Sequence, residues 1–85
     1  MMFDARYSNQ SKKFLKKADK ILTQRLLEKI EKLQEKPIIH DTKVIEGSKN
    51  LFRVRVDDYR ILYEIDYQNK LIGIIKIDKR EKVYD

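Results

Sequence analysis

Five cationic side chains, Arg53, Arg55, Arg60, Lys76 and Arg80, and the phenol of Tyr84 are the candidate reactive groups of this sequence. A guanidinium stays charged at any ordinary pH and grips phosphate through paired N–H donors, so clustered arginines suit an anionic substrate. They are poor general bases, because they hold their proton above about pH 12. A phenol beside them can stack on a base, at about 1–3 kcal/mol per base, or take a proton if nearby cations lower its pKa. The net charge of +6 and pI near 9.6 favour an acidic partner, most commonly nucleic acid for a small basic domain.

The stretch Leu51 to Tyr67 carries three of these arginines. Phe52, Val54 and Val56 alternate with Leu51, Arg53 and Arg55. After Asp57-Asp58 the alternation resumes with Tyr59, Ile61, Tyr63 and Ile65. This is the pattern of a half-buried antiparallel hairpin. A tip at Asp57-Asp58 puts Val56 opposite Tyr59, Val54 opposite Ile61 and Phe52 opposite Tyr63, which makes a core face. The same register sets Arg55 opposite Arg60. Like charges in that position destabilise a sheet, so the pair calls for an anion from elsewhere; the alternative is a solvated basic face with Glu64 as a local partner.

The last strand, Lys70 to Asp78, has apolar residues on both parities. A three-residue loop at Tyr67-Gln68-Asn69 with Asn69 left-handed predicts Tyr63 opposite Gly73 and Ile61 opposite Ile75. Leu71, Ile75 and Ile77 then join the core, Lys76 falls beside Arg60, and Arg80 extends the row. Leu51, Leu62, Ile72 and Ile74 share that second face as apolar surface for a partner.

Phe3 to Tyr7 reads as a short first strand. Ser8 and Asp19 are N-caps of two helices. Phe14, Leu15 and Ala18 form the apolar stripe of the first; Leu22, Leu26, Ile30 and Leu33 form that of the second, widened by Ile21 and Leu27. Pro37 stops the second helix near Lys36. The lysines of the first helix, among them Lys12, Lys13 and Lys16, are either a solubilising face or a track for phosphates; those of the second read as solubilising. Ile38 to Asn50 is a connector with a turn at Gly47, Ser48 and Asn50 and a brief edge strand at Lys43-Val44-Ile45. His40, a lone loop histidine, reads as incidental rather than as a general base.

Residues 1–85 are expected to form one α+β domain, an N-terminal strand and helical hairpin packed on one face of an antiparallel sheet. With no cysteine there is neither a disulfide framework nor a thiolate metal site, and His40, the one histidine, cannot make a histidine-based zinc site. No Gly-rich phosphate loop and no convincing carboxylate pair are present, so neither metal nor cofactor is expected. Nothing at the N-terminus resembles a signal peptide and no segment is long enough to cross a bilayer, so the expectation is a soluble, cytoplasmic protein.

The order strand, helical hairpin ending in Pro37, then KVIEG, LFRVRVDDYRILYEI and IKIDKREKVY resembles the RelE/ParE superfamily of toxins over nearly the whole chain. RVRVDDYRILYEI and KREKVY carry it; the lysine-rich helices do not. The resemblance implies a RelE-like fold and the toxin of a type II toxin–antitoxin system. Such a toxin is a ribosome-dependent endoribonuclease that cleaves mRNA in the A site by attack of a 2′-OH on the adjacent phosphate. It implies catalytic roles for Arg55, Arg60, Arg80 and Tyr84, with Arg53, Lys76, Lys79, Lys82 and the helical Lys12, Lys13 and Lys16 as RNA contacts. The implied partners are a RelB-like antitoxin in a hetero-oligomer, the ribosome and mRNA, with no membrane. Well-known bacterial members have lysines at the positions of Arg53 and Arg55. They often have Gly before the Tyr-Arg pair, where this chain has Asp58, and Gly or His near the final Arg, where it has Asp78 and Lys79. ParE-type relatives share the fold but poison DNA gyrase by binding, which is the alternative function.

Overall fold

The computed structural model describes residues 2–79. The strand β1 (Asp4–Tyr7) leads into α1 (Asn9–Lys17) and α2 (Lys20–Glu35), followed by β2 (Lys43–Val44), β3 (Leu51–Val56), β4 (Tyr59–Asp66) and β5 (Leu71–Lys79). The five strands form one sheet in the order β1-β5-β4-β3-β2. β1 runs parallel to β5 and the other pairs are antiparallel, so the sheet is mixed rather than wholly antiparallel.

Local signals set the helices. Ser8 caps α1 by accepting from the Ser11 amide, and Asp19 caps α2 by accepting from the Leu22 amide. α2 ends at Glu35 with Lys36 as its C-cap, just before Pro37. Both helices cover one sheet face. Leu26, Ile30 and Leu33 pack there with Phe52, Val54, Ile61, Tyr63, Ile72, Ile74 and Ile77. Ile21 and Leu27 do not widen the buried stripe: they are 71% and 43% exposed, because they fall on the flank turned from the sheet.

The β3–β4 hairpin has the register its alternation predicts, with Val56 opposite Tyr59, Val54 opposite Ile61, Arg55 opposite Arg60 and Phe52 opposite Tyr63. Its two-residue turn places Asp57 at φ 54°, a left-handed conformation that Asp tolerates better than most residues. Arg25 on α2 holds the Asp57 carboxylate at 2.8 Å.

β5 departs from expectation. The loop after Asp66 has four residues, 67–70, and Lys70 rather than Asn69 is left-handed, at φ 53°. Tyr63 therefore faces Ile74 instead of Gly73. A β-bulge then shifts the register, so that Leu62 faces Lys76, Ile61 faces Ile77 instead of Ile75, and Arg60 faces Asp78. One extra residue, Ile75, changes which parity points inward. Ile72 and Ile74 before the bulge and Ile77 after it all reach the core, which explains apolar residues on both parities. Leu71 is only half-buried and Ile75 joins the opposite face. That face carries a smaller cluster of Ile45, Leu62, Leu51 and Ile75. The expected apolar surface of Leu51, Leu62, Ile72 and Ile74 is thus reduced: Ile72 and Ile74 point inward and Leu62 is buried beside Ile45.

β1 ends opposite Ile74, so the β5 backbone beyond it needs other partners, and the first turn of α1 supplies them. Ser8 Oγ donates to the Ile75 carbonyl (2.6 Å) and Ser11 Oγ to that of Ile74 (3.3 Å). The Gln10 amide group donates to the Ile77 carbonyl (2.7 Å) and accepts from its N–H (3.0 Å), as a neighbouring strand would.

Candidate phosphate-binding cleft

Period two along β3 and β4 turns Arg53, Arg55 and Arg60 to the sheet face opposite the helices, and the bulge brings Lys76 to the same face. Two cross-strand rows result. One runs Lys43, Arg53, Leu62 and Lys76; the next runs Arg55, Arg60 and Asp78. Lys76 consequently stands opposite Leu62 and diagonal to Arg60, not beside it. Asp78 takes the place expected for Lys76 and puts one carboxylate at the end of the arginine row.

Beyond the two-residue β2 the connector folds back along β3. His40, Asp41 and Lys43 join Arg53, Val54, Arg55 and Arg60 around a cleft of about 310 Å³. Arg55 also borders a second cleft of about 290 Å³ with Arg25, Glu28, Lys29, Lys32, Val56 and Asp57, so positive charge continues around the sheet edge to α2. Guanidinium and ammonium groups from a strand pair and its flanking edge can seat the phosphates of an extended chain.

Two contacts fix the connector. The Tyr63 hydroxyl, reached from beneath the sheet, donates to the Pro37 carbonyl (2.7 Å) and shares a hydrogen bond with Thr42 Oγ1 (3.0 Å). Burial pushes the Tyr63 phenol up to about 12, against a smaller opposing effect of the Thr42 bond. Lys29 Nζ on α2 reaches Asp41 Oδ2 at 2.8 Å. Burial works to raise the Asp41 carboxyl, yet the Lys29 hydrogen bond and charge, with lesser help, outweigh it and hold the group below its ordinary value.

Of the remaining candidates, those within the described residues are not brought to this cleft. Lys12, Lys13 and Lys16 lie on α1, across the sheet from the arginines, where with Tyr7, Asn9, Leu15 and Leu27 they line a groove of about 640 Å³. Lys16 also occupies the last turn of α1, a favourable place for a cation. Lys79 pairs with Tyr59, whose ring packs on Phe14, so its register position belongs to the helix side. Arg80, Lys82 and Tyr84 lie outside the described residues. His40, Asp41 and Asp78 were not legible as site residues. The edge strand at Lys43 was the available signal, since pairing it with β3 draws the connector to Arg53. Among the described residues no group of three or more His, Cys, Asp or Glu could hold a metal ion, and no helix is long and apolar enough to cross a membrane.

Comparison with known proteins places this geometry in a family. A family model described as the ParE toxin of the type II toxin–antitoxin system parDE matches residues 5–84. The RelE1 protein of Methanocaldococcus jannaschii is 37% identical over 60 residues, covering 67% of this chain and 67% of that protein. The archaeal RelE–RelB complex from Pyrococcus horikoshii contains a chain similar at TM-score 0.84 and 28% identity, over 98% of this chain and 100% of that one. The RelB–RelE antitoxin–toxin complex from Methanococcus jannaschii gives TM-score 0.71 and 26% identity, over 93% and 94%. Two helices on a five-stranded mixed sheet, an arginine face opposite the helices and these matches together lead to one assignment: the chain belongs to the ParE toxin family of type II toxin–antitoxin systems, within the RelE/ParE superfamily, and has the RelE fold.

Proposed function

We propose that this toxin is a ribosome-dependent endoribonuclease that cleaves mRNA in the ribosomal A site. The observation that carries the reading is the cleft in which Arg53, Arg55 and Arg60 meet Lys43. The reaction is attack of a ribose 2′-OH on the adjacent phosphate, leaving a 2′,3′-cyclic phosphate and a 5′-OH. It needs in-line placement and neutralisation of a crowded phosphorane, which pre-placed guanidinium groups supply. Arg55 and Arg60 hold the phosphate, Arg53 and Lys76 the flanking chain, and Arg80 completes the charge with Tyr84 stacking on a base. Lys79, Lys82 and the α1 lysines Lys12, Lys13 and Lys16 contact RNA more remotely.

The toxin acts in the cytoplasm and is held inactive by a RelB-like antitoxin in a hetero-oligomer, as the complexes of the two archaeal relatives suggest by analogy. An acidic, partly helical antitoxin suits a chain carrying +6. Its carboxylates would relieve the opposition of Arg55 and Arg60. Steering by charge makes the association fast and salt-sensitive.

The second reading is a gyrase inhibitor, favoured by the ParE description of the matching family model. Primer extension on translated mRNA beside a gyrase supercoiling assay separates the two. Cleavage of mRNA on translating ribosomes, abolished by Arg60→Ala or Arg80→Ala and only weakened by Tyr84→Phe, supports the nuclease. Intact mRNA together with blocked supercoiling supports the gyrase reading.

A further inference from the structure

We propose that His40 is the proton acceptor of this cleft, the group that takes the 2′-OH proton; the proposal rests on the ribonuclease reading. The cleft brings seven residues together, and its cations are unsuited to that task. Arg53, Arg55 and Arg60 carry guanidinium groups, which hold their protons, and a lysine ammonium offers donors and no acceptor. Asp41 is a weak base because Lys29, bound at 2.8 Å, holds its carboxyl below the ordinary value. Imidazole is the side chain that takes up and releases a proton near neutral pH, and His40 is the one histidine of the chain.

Its setting favours the role. His40 is exposed, so a bound ribose can reach its ring. The connector on either side is anchored, at Pro37 and Thr42 by the Tyr63 hydroxyl and at Asp41 by Lys29. Asp41 is next in sequence and lines the same cleft. Lys43, Arg53, Arg55 and Arg60 line that space too, where they can hold the phosphate whose neighbouring 2′-OH His40 would meet.

The step balances. A ring nitrogen of His40 takes the 2′-OH proton as the 2′ oxygen bonds to phosphorus. The bond from phosphorus to the 5′ oxygen breaks, and that oxygen takes a proton from water to become the 5′-OH. The hydroxide so formed accepts the proton of the imidazolium, and His40 returns neutral.

The test is single-turnover cleavage of mRNA on programmed ribosomes by the wild-type, His40→Ala, His40→Gln and Arg60→Ala proteins, each with and without added imidazole. His40→Ala is expected to slow cleavage roughly 10²-fold or more, with little change in the toxin concentration giving half-maximal rate. Added imidazole should restore part of the His40→Ala rate and do nothing for Arg60→Ala. Circular dichroism of His40→Gln checks that the connector substitution leaves the fold intact. Wild-type cleavage matched by both His40 variants overturns the assignment alone. A slow His40→Ala that imidazole does not restore also overturns it, since a positioning role would behave so. Wild-type protein that cuts nothing defeats the ribonuclease reading itself, and the role of His40 with it.

Discussion

Arg55 and Arg60 stand directly opposite each other across the β3–β4 ladder, two cations in a position where sheets ordinarily place a compatible pair. Such an arrangement opposes folding, an opposition that the Asp78 carboxylate opposite Arg60 moderates, and it suits an anionic ligand, so stability and function should separate there. Arg55→Ala is expected to leave stability unchanged or raise it by about 0.2–1 kcal/mol, the range of a cross-strand pair, while weakening cleavage. Arg60→Ala should lower the rate roughly 10²–10³-fold, as loss of a placed charge stabiliser does. Urea unfolding and single-turnover cleavage on the same proteins check both; an Arg55→Ala protein that is both much less stable and fully active contradicts the argument.

The Tyr63 hydroxyl anchors the connector that carries His40. Tyr63→Phe leaves the ring in the core but strips the Pro37 carbonyl of its donor, for a loss of roughly 1–3 kcal/mol. The pH dependence has a definite sign. The folded phenol ionises only at about 12 against an ordinary value of 10.0, so its contribution is complete below pH 10 and is lost as pH rises through 12. Urea midpoints of the two proteins should therefore converge above pH 10.

Lys29 and Asp41 respond at the other end of the scale. The Asp41 carboxyl is lowered from 3.8, so the ion pair stabilises the fold above about pH 4, and the gain disappears as pH falls through the folded value. Asp41→Asn should cost roughly 1.5–3 kcal/mol at neutral pH, the range for hydrogen bonds to charged groups. Thermal unfolding from neutral to acid pH should show the gap to wild type closing at the acid end.

Gln10 holds β5 just beyond the bulge. Gln10→Ala removes both the acceptor and the donor for Ile77, costing about 1–3 kcal/mol. Gln10→Glu keeps the acceptor but sets a carboxylate oxygen against the Ile77 carbonyl, so it should not rescue. Hydrogen exchange at the Ile77 amide should accelerate in both proteins, and unchanged protection there would contradict the clamp.

Whatever short-range chemistry controls was legible in the order of residues alone. Ser8, Asp19 and Pro37 bound the helices because caps and proline act within a turn of chain. The alternation of Leu51 to Ile65 fixed the opposition of Arg55 and Arg60, because a two-residue turn leaves the hairpin one register that buries one face. Contacts between distant segments set the rest. Beyond the end of β1, β5 is held by Ser8, Ser11 and Gln10, which lie more than sixty residues earlier and satisfy its backbone. The four-residue loop at 67–70 turned Ile72 and Ile74 inward, and the loop and the bulge, one residue each, together exchanged Lys76 for Asp78 opposite Arg60. The parallel entry of β1, the separation of the α1 lysines from the arginines and the approach of His40 to the cleft likewise arise from contacts distant in sequence. Periodicity reports which face a residue takes within its own element; which elements share that face is set by the packing and backbone hydrogen bonds that close the sheet.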